Sequence, residues 1–395
     1  MRAALPVATL LMLGVNTAVL LWINPRVDSV ESLGFVPAQP SLWGALTSLF
    51  VHASWLHWLK NALFLGLFGW YVERALGWRR WLLLYFASGF GAIGVHWLMS
   101  LTIQPALYRE GLVGASGAIS GLVGYFALRF YRRRVRVLWS SPSRWGLAIP
   151  MWVGVVLWVL LQGVGAVLEA GEATPSPVGY WAHLGGFATG LALAVLWGAG
   201  AAGEREFLLH QAEDALQQGA AGDALRWLQS LRQQAPSDPY TLYLQGAAWA
   251  MLGDAVEATE PLKAALEYAL MGGNDALALQ AAELLCELDQ LHTLSLPTLR
   301  ALFQRAERAH ERARALRWLE VITRHPETPE RPEWLLLRVH LLEHQGHTEA
   351  AHAARQQLLT EYPDSLQAAM TQLERRRERI PLQKLPLESD KNRYT

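Results

Sequence analysis

Six apolar runs occupy the first half of this chain, and no comparable run follows them. They cover roughly residues 5–24, 46–72, 81–101, 114–131, 148–169 and 180–199, each near the ~20 residues that a helix needs to cross a bilayer. In hydrocarbon no water is present to pair the backbone N–H and C=O groups, so each run has to satisfy its own, as an α-helix does. The first run is read as an anchor and not as the core of a cleaved leader. Asn24-Pro25-Arg26 offers no small-residue cleavage site, and five more runs follow.

Charge and tryptophan divide the chain at the same place. The total of 34 Lys and Arg against 34 Asp and Glu hides 13 basic and 6 acidic residues in positions 1–200, so that half carries about +7 and the remainder about −7. Of 18 tryptophans, 14 precede residue 200. An apolar, basic, Trp-rich half is what a membrane domain looks like, with Trp22, Trp55, Trp58, Trp78, Trp81 and Trp181 as interface anchors. The second half is rich in Ala, Leu, Gln, Glu and Arg, as soluble helical domains are. The single cysteine, Cys286, excludes an internal disulfide and fits a reducing compartment. No basic stripe suggests a nucleic-acid partner.

The loops give an orientation. Arg74, Arg79 and Arg80 lie between runs two and three, and Arg129, Arg132, Arg133, Arg134, Arg136 and Arg144 lie at and after the end of run four. The other connections hold little positive charge: Arg26 with Asp28 and Glu31, Arg109 with Glu110, and Glu169 with Glu172. The positive-inside rule then predicts cytoplasmic N- and C-termini, with residues 114–117 and 180–185 near the same outer face. The arginines after run four would also meet anionic lipid.

The polar half contains a repeat. Gly219, Ala224, Leu228 and Leu231 recur 34 residues later as Gly253, Ala258, Leu262 and Ala265, and Gly346, Ala351 and Pro363 repeat the spacing of Gly219, Ala224 and Pro236. A period of 34 with small residues at helix crossings is the tetratricopeptide (TPR) pattern. It predicts a solenoid of paired helices over 204–375, with 271–330 helical but out of register, and a disordered tail over 376–395. Such a solenoid offers a concave surface to a protein or peptide partner; a structural or dimer contact is the plainer alternative.

Two polar residues inside the apolar runs carry the chemistry. Ser116 stands in Gly114-Ala115-Ser116-Gly117 at the head of run four, and His183 in Ala182-His183-Leu184-Gly185-Gly186 early in run six. Polar groups are costly in hydrocarbon, and a hydroxyl and an imidazole on glycine-lined helices suggest a nucleophile meeting its base. Singly, each has a plainer reading as a helix-contact serine or a satisfied core histidine. Gly117, Gly121 and Gly124 on one run, with Gly186 and Gly190 on the other, are spaced for close helix contact. A third stretch, His52-Ala53-Ser54-Trp55-Leu56-His57-Trp58-Leu59-Lys60-Asn61, places His57 and Asn61 four apart on one helix face. His52 and His57 are five apart and no HExxH occurs, so a zinc site is not expected, and neither is a cofactor.

In span count, motif order and orientation, residues 5–199 resemble the rhomboid family of intramembrane serine proteases. The resemblance implies an all-α fold, a six-helix membrane bundle over 1–203, followed here by the TPR-like solenoid. It implies Ser116 as nucleophile and His183 as general base in a dyad without a carboxylate. Asn61 and His57, with the Ser116 backbone N–H, would form the oxyanion hole, and His52 matches a further family histidine. Run five would be the lateral gate for substrate transmembrane segments, in a bacterial inner membrane. Two positions depart from the family. Trp43 is followed by Gly44 where an arginine is common, and Ser120 stands where well-known members carry an aromatic that packs on the histidine. The rival readings are a catalytically silent membrane scaffold working through the repeats and, more distantly, a transporter. For the transporter, no internal duplication of the six runs is visible.

Overall fold

A computed structural model describes residues 5–23, 32–137, 147–170, 172, 178–326 and 328–379. Arg26, Asp28, Glu31, Arg144 and positions 380–395 of the expected tail lie outside the described residues. The chain divides into two units, Met1–Phe207 and Leu208–Thr395.

Helices occur at each of the six apolar runs. In chain order they are α1 (Val7–Ile23), a short α2 (Leu42–Thr47), α3 (Trp55–Phe64), α4 (Trp70–Leu76), α5 (Trp78–Thr102), α6 (Ser116–Arg129), α7 (Met151–Glu169) and α8 (Tyr180–Leu196), after which α9 (Ala199–Gln217) begins. A π-helical turn, Leu65–Gly69, joins α3 to α4. Among the described residues, α5 and α7 are each long and apolar enough to cross a membrane alone, and α8 meets α9 at a 67° bend. The others are shorter. With 14 residues, α6 is about 21 Å long, well under the ~30 Å of a hydrocarbon core.

Run two is the one whose bounds differ most from expectation. Its helix starts at Trp55, not near residue 46, because the Ser54 hydroxyl accepts the His57 N–H at 3.1 Å and caps the first turn. The apolar residues Leu49, Phe50 and Val51 before it belong to a connecting segment, which the Ser48 carbonyl ties to the Gly114 N–H at 2.8 Å. Helix α1 begins just after Pro6 without a capping side chain of its own. Glu73 of α4 supplies one: its carboxylate accepts the N–H groups of Ala8 (2.8 Å) and Thr9 (2.7 Å) and the Thr9 hydroxyl (2.7 Å). A buried side chain from a neighbouring helix thus serves the orphan donors of a helix start. The Gly69 carbonyl, at the end of the π turn, accepts from the Trp81 indole at 3.1 Å.

The all-α expectation needs one amendment. A two-stranded antiparallel ribbon, β1 (Arg134–Val137) with β2 (Leu147–Pro150), leads from α6 into α7, with Arg134 opposite Pro150 and Val137 opposite Leu147. Alternating Arg and β-branched Val suits a strand better than a helix.

The core of this unit gathers Leu65, Val72, Trp81, Leu84, Tyr85, Leu122 and Phe126, all 2% exposed or less. Around it, α6, α8 and α5 approach backbone to backbone. A Cβ on Gly186 would overlap the Gly117 carbonyl oxygen, one on Gly190 the Gly121 carbonyl, and one on Gly121 the Ser88 side chain. Only glycine permits these crossings.

The second unit continues as helices joined by short turns: α10 (Ala221–Gln234), α11 (Pro239–Met251), α12 (Ala255–Met271), α13 (Asp275–Glu287), α14 (Leu296–Arg308), α15 (Arg312–Arg324), α16 (Arg331–His344), α17 (Thr348–Glu361) and α18 (Leu366–Arg379). The last runs three residues past 376, where the tail was expected to begin. The repeated positions Ala224, Leu228, Leu231 and Ala258, Leu262, Ala265 are all buried to within 1%. The turn glycines Gly219, Gly253, Gly273 and Gly346 all have φ between 71° and 80°, the left-handed conformation that glycine adopts without penalty.

Candidate active site

Ser116 is the first residue of α6, and the backbone ahead of it is shaped for that position. Gly114 has φ +120°, closed to most side chains, and Ala115 is fully buried. The N–H groups of a first helical turn have no intrahelical acceptor, and the helix dipole places partial positive charge there. The chain thus sets the serine hydroxyl at an end of α6 that favours developing negative charge.

His183 lies in the first turn of α8, and the glycine crossings of α6 and α8 bring it to the serine. Its Nε2 is 2.8 Å from Ser116 Oγ. Its Nδ1 is 2.7 Å from Oε1 of Gln162, on α7. The ring of Trp158, one turn before Gln162, lies 6.4 Å from the imidazole with 33° between their planes. Neither Gln162 nor Trp158 figured in the reading of the sequence. The signal was present: Gln162 is the sole amide side chain in the apolar run 151–168.

The remaining predicted residues lie on α3 or just before it, and His57 is the one that meets the segment leading to Ser116. The His57 ring lies against Gly114, so close that a Cβ there would come within 2.7 Å of it. Asn61 is buried one turn further on and donates from Nδ2 to the His57 carbonyl at 2.9 Å, which leaves its second amide hydrogen for another acceptor. His52 donates from Nδ1 to the Phe50 carbonyl at 3.1 Å, and its ring meets that of His57 edge to face at 5.2 Å. Its Nε2 is buried with no hydrogen-bond partner among the described residues. His52 is therefore next to His57, with its free nitrogen available to a water or a bound group.

The two departures from the family pattern have local explanations. Gly44 sits in α2, where a Cβ would come within 2.9 Å of the Gly34 carbonyl oxygen and the Ser41 hydroxyl, so this loop packs too closely for an arginine. Ser41 instead caps α2 by accepting the Gly44 N–H at 2.9 Å, and Thr47 reaches the Leu33 carbonyl at 2.7 Å. Ser120 turns its hydroxyl back to the Ser116 carbonyl at 2.7 Å.

The helix opposite Ser116 and His183 is held differently from α6. Of α7, Val155, Ala166 and Glu169 are buried, while Leu157, Leu160 and Leu161 are more than half exposed. An apolar cavity of about 360 Å³ lies between its first half and the residues Leu128 of α6, Phe187 and Leu191 of α8. Its last turn is fastened, because Gln104 donates to the Glu169 carbonyl and accepts from the Trp181 indole, both at 3.1 Å.

A hydroxyl, a base in hydrogen-bond contact with it, and donors at a helix N-terminus form the arrangement used for acyl transfer. Comparison with known proteins leads to the same class. Residues 39–199 match the family model described as the Rhomboid domain. The chain is 30% identical over 180 residues to RHOMBOID-like protein 7 of Arabidopsis thaliana, covering 44% of this chain and 50% of that protein. It is 30% identical over 172 residues to Rhomboid-like protease 3 of Toxoplasma gondii (43% and 58%). It is 29% identical over 171 residues to Rhomboid-type serine protease 2 of Emericella nidulans (43% and 30%). The chain spans about half the length, or less, of these curated relatives. The domain match and the apolar helices mark a membrane protein, and the similarities support the rhomboid family and a protease.

Proposed function

We propose that this protein is an intramembrane serine endopeptidase that cuts membrane-protein substrates in or near their transmembrane segments. The observation that carries this reading is the 2.8 Å contact between His183 Nε2 and Ser116 Oγ, made between two helices drawn from apolar runs. In the proposed reaction Ser116 Oγ attacks the scissile carbonyl while His183 Nε2 takes its proton. The oxyanion is met by the Ser116 N–H, with Asn61 and His57 as further donors, each worth ~2.7–4 kcal/mol where such donors have been removed. His183 then protonates the leaving amine, and water repeats the sequence on the acyl-enzyme.

The topology proposed with it has six spans, cytoplasmic termini and the site near the outer face. A helix of about 21 Å that starts at the serine leaves room for water above it within a ~30 Å core. Helix α7 is the proposed lateral gate, and its exposed apolar face and the cavity behind it support that role. A peptide bond inside a regular helix is hidden from a nucleophile, so suitable substrates unwind readily, with Gly, Pro or polar residues near a small residue at the cut. The TPR-like unit is proposed to bind a protein or peptide on the cytoplasmic side.

The test is cleavage of a transmembrane-segment substrate in liposomes by the full-length protein beside Ser116→Ala and His183→Ala. Cleavage by the wild type alone is expected. Equal cleavage by Ser116→Ala would overturn the assignment, and a folded wild type that never cleaves would favour the scaffold reading.

A further inference from the structure

We infer that Gln162 is a positioning residue for the general base, fixing the tautomer of His183 from helix α7. The inference rests on the protease reading above. A neutral imidazole carries its proton on one nitrogen and accepts on the other. Gln162 presents Oε1, an acceptor, 2.7 Å from Nδ1. The proton therefore sits on Nδ1, and Nε2 faces Ser116 Oγ at 2.8 Å with a bare lone pair, the state that a general base requires. With no acceptor at Nδ1, the ring is free to carry its proton on Nε2, where it donates to the serine and cannot activate it.

The surroundings leave this task to Gln162. The Ser120 hydroxyl is engaged with the Ser116 carbonyl. The Trp158 ring lies 6.4 Å from the imidazole and has no acceptor to offer. His52 directs Nδ1 to Phe50. During attack the Ser116 proton passes to Nε2 while the Nδ1 proton stays on the bond to Gln162. The imidazolium then has a partner at each end, and the Nε2 proton leaves with the amine, so charge and protons balance with no further group. A carboxylate fills this place in soluble triads, where the wrong tautomer costs ~10⁴ in kcat. A neutral amide attracts the imidazolium less, so a smaller effect is expected here.

The experiment uses full-length protein in detergent and two readouts. The first is the rate at which a small fluorophosphonate labels Ser116, which needs no substrate to pass between helices. The second is kcat and KM on a transmembrane-segment substrate. The variants are Gln162→Leu, Gln162→Met, which keeps the length of the side chain, and Gln162→Glu, which keeps an acceptor. Labelling rate and kcat are expected to fall about 10- to 100-fold in the Leu and Met variants with KM within about twofold, and the Glu variant is expected to stay within about fivefold of wild type. Wild-type labelling in both the Leu and Met variants would overturn the inference. Equal losses in all three would also overturn it, by marking a packing role. Failure of wild-type protein to label or cleave, with Ser116→Ala identical to it, would instead sink the protease reading.

Discussion

Helices α6 and α7 both border the proposed catalytic centre, and they are built on opposite terms. Every residue of α6 from Gly117 to Phe126 is buried, whereas three residues of α7 are. Glycine crossings against α5 and α8 hold α6. At its far end, Arg129 and Arg133 both pair with Glu206, at 2.6 and 2.7 Å. Helix α7 is fastened near Glu169 and otherwise presents leucines and valines outward. The proposed nucleophile therefore stands on a fixed element, while the amide facing the proposed base stands on a loosely held one. Acyl transfer tolerates little misplacement of the attacking atom, and a gate has to move.

The sharpest way to break this contrast is at the serine itself. Ser116→Ala is expected to lower cleavage by at least ~10³-fold with an unchanged thermal unfolding midpoint; a large drop in that midpoint would show the hydroxyl to be part of the packing. Next comes a pair of glycines. Gly186→Ala drives a methyl into the Gly117 carbonyl and should destabilise by about 1–3 kcal/mol, read by thermal unfolding in detergent. Gly163→Ala on α7 meets nothing within 4 Å and should be neutral or stabilising by up to about 1 kcal/mol. Equal losses at the two sites would mean that α7 is packed as firmly as α8.

The smallest effect concerns the anchor of α6. Partial burial alone would raise the Glu206 carboxyl, but the hydrogen bond from Arg133 and the charge of Arg129 outweigh it and hold the group below its usual value of 4.5. A depressed carboxyl contributes stability above its unfolded value and loses it as pH falls through the folded one. Glu206→Gln should thus cost less than about 1 kcal/mol near neutral pH, fade with salt, and match wild type once the pH is well below 4.5. A deficit that persists there would point to lost packing and not to lost charge.

What could be read in the sequence follows the same division. Tight crossings tolerate one residue type, so Gly117, Gly121, Gly186 and Gly190 reveal the contact of α6 with α8 in the sequence alone. An exposed apolar helix accepts almost any mixture of Leu and Val, so nothing in α7 announced its loose packing. Gln162 was visible as a lone amide, but pairing it with His183 needed the register between two helices, which no local pattern encodes. In the second unit, Gly219 and Gly253 exposed the 34-residue period. The period was lost where Asp289 and His310, both at φ 57°, take the left-handed turn position without a glycine, and where α13 stands between the pairs. The β1–β2 ribbon was overlooked because four-residue strands beside arginines resemble a charged loop.

With α7 as the proposed gate, the hydrogen bond between Gln162 and His183 would also impose an order in time. On the proposed reading, the helix that yields to a substrate is the helix whose amide sets the proton on the base, so an opened molecule would be chemically disarmed until α7 returns. Entry, re-closure and cleavage would then be successive events, and a segment too bulky to let α7 return would be held without being cut. Thermodynamic reciprocity carries the same coupling backwards: a covalent adduct on Ser116 that locks the imidazole in its working tautomer also holds α7 shut, and should slow hydrogen exchange along that helix.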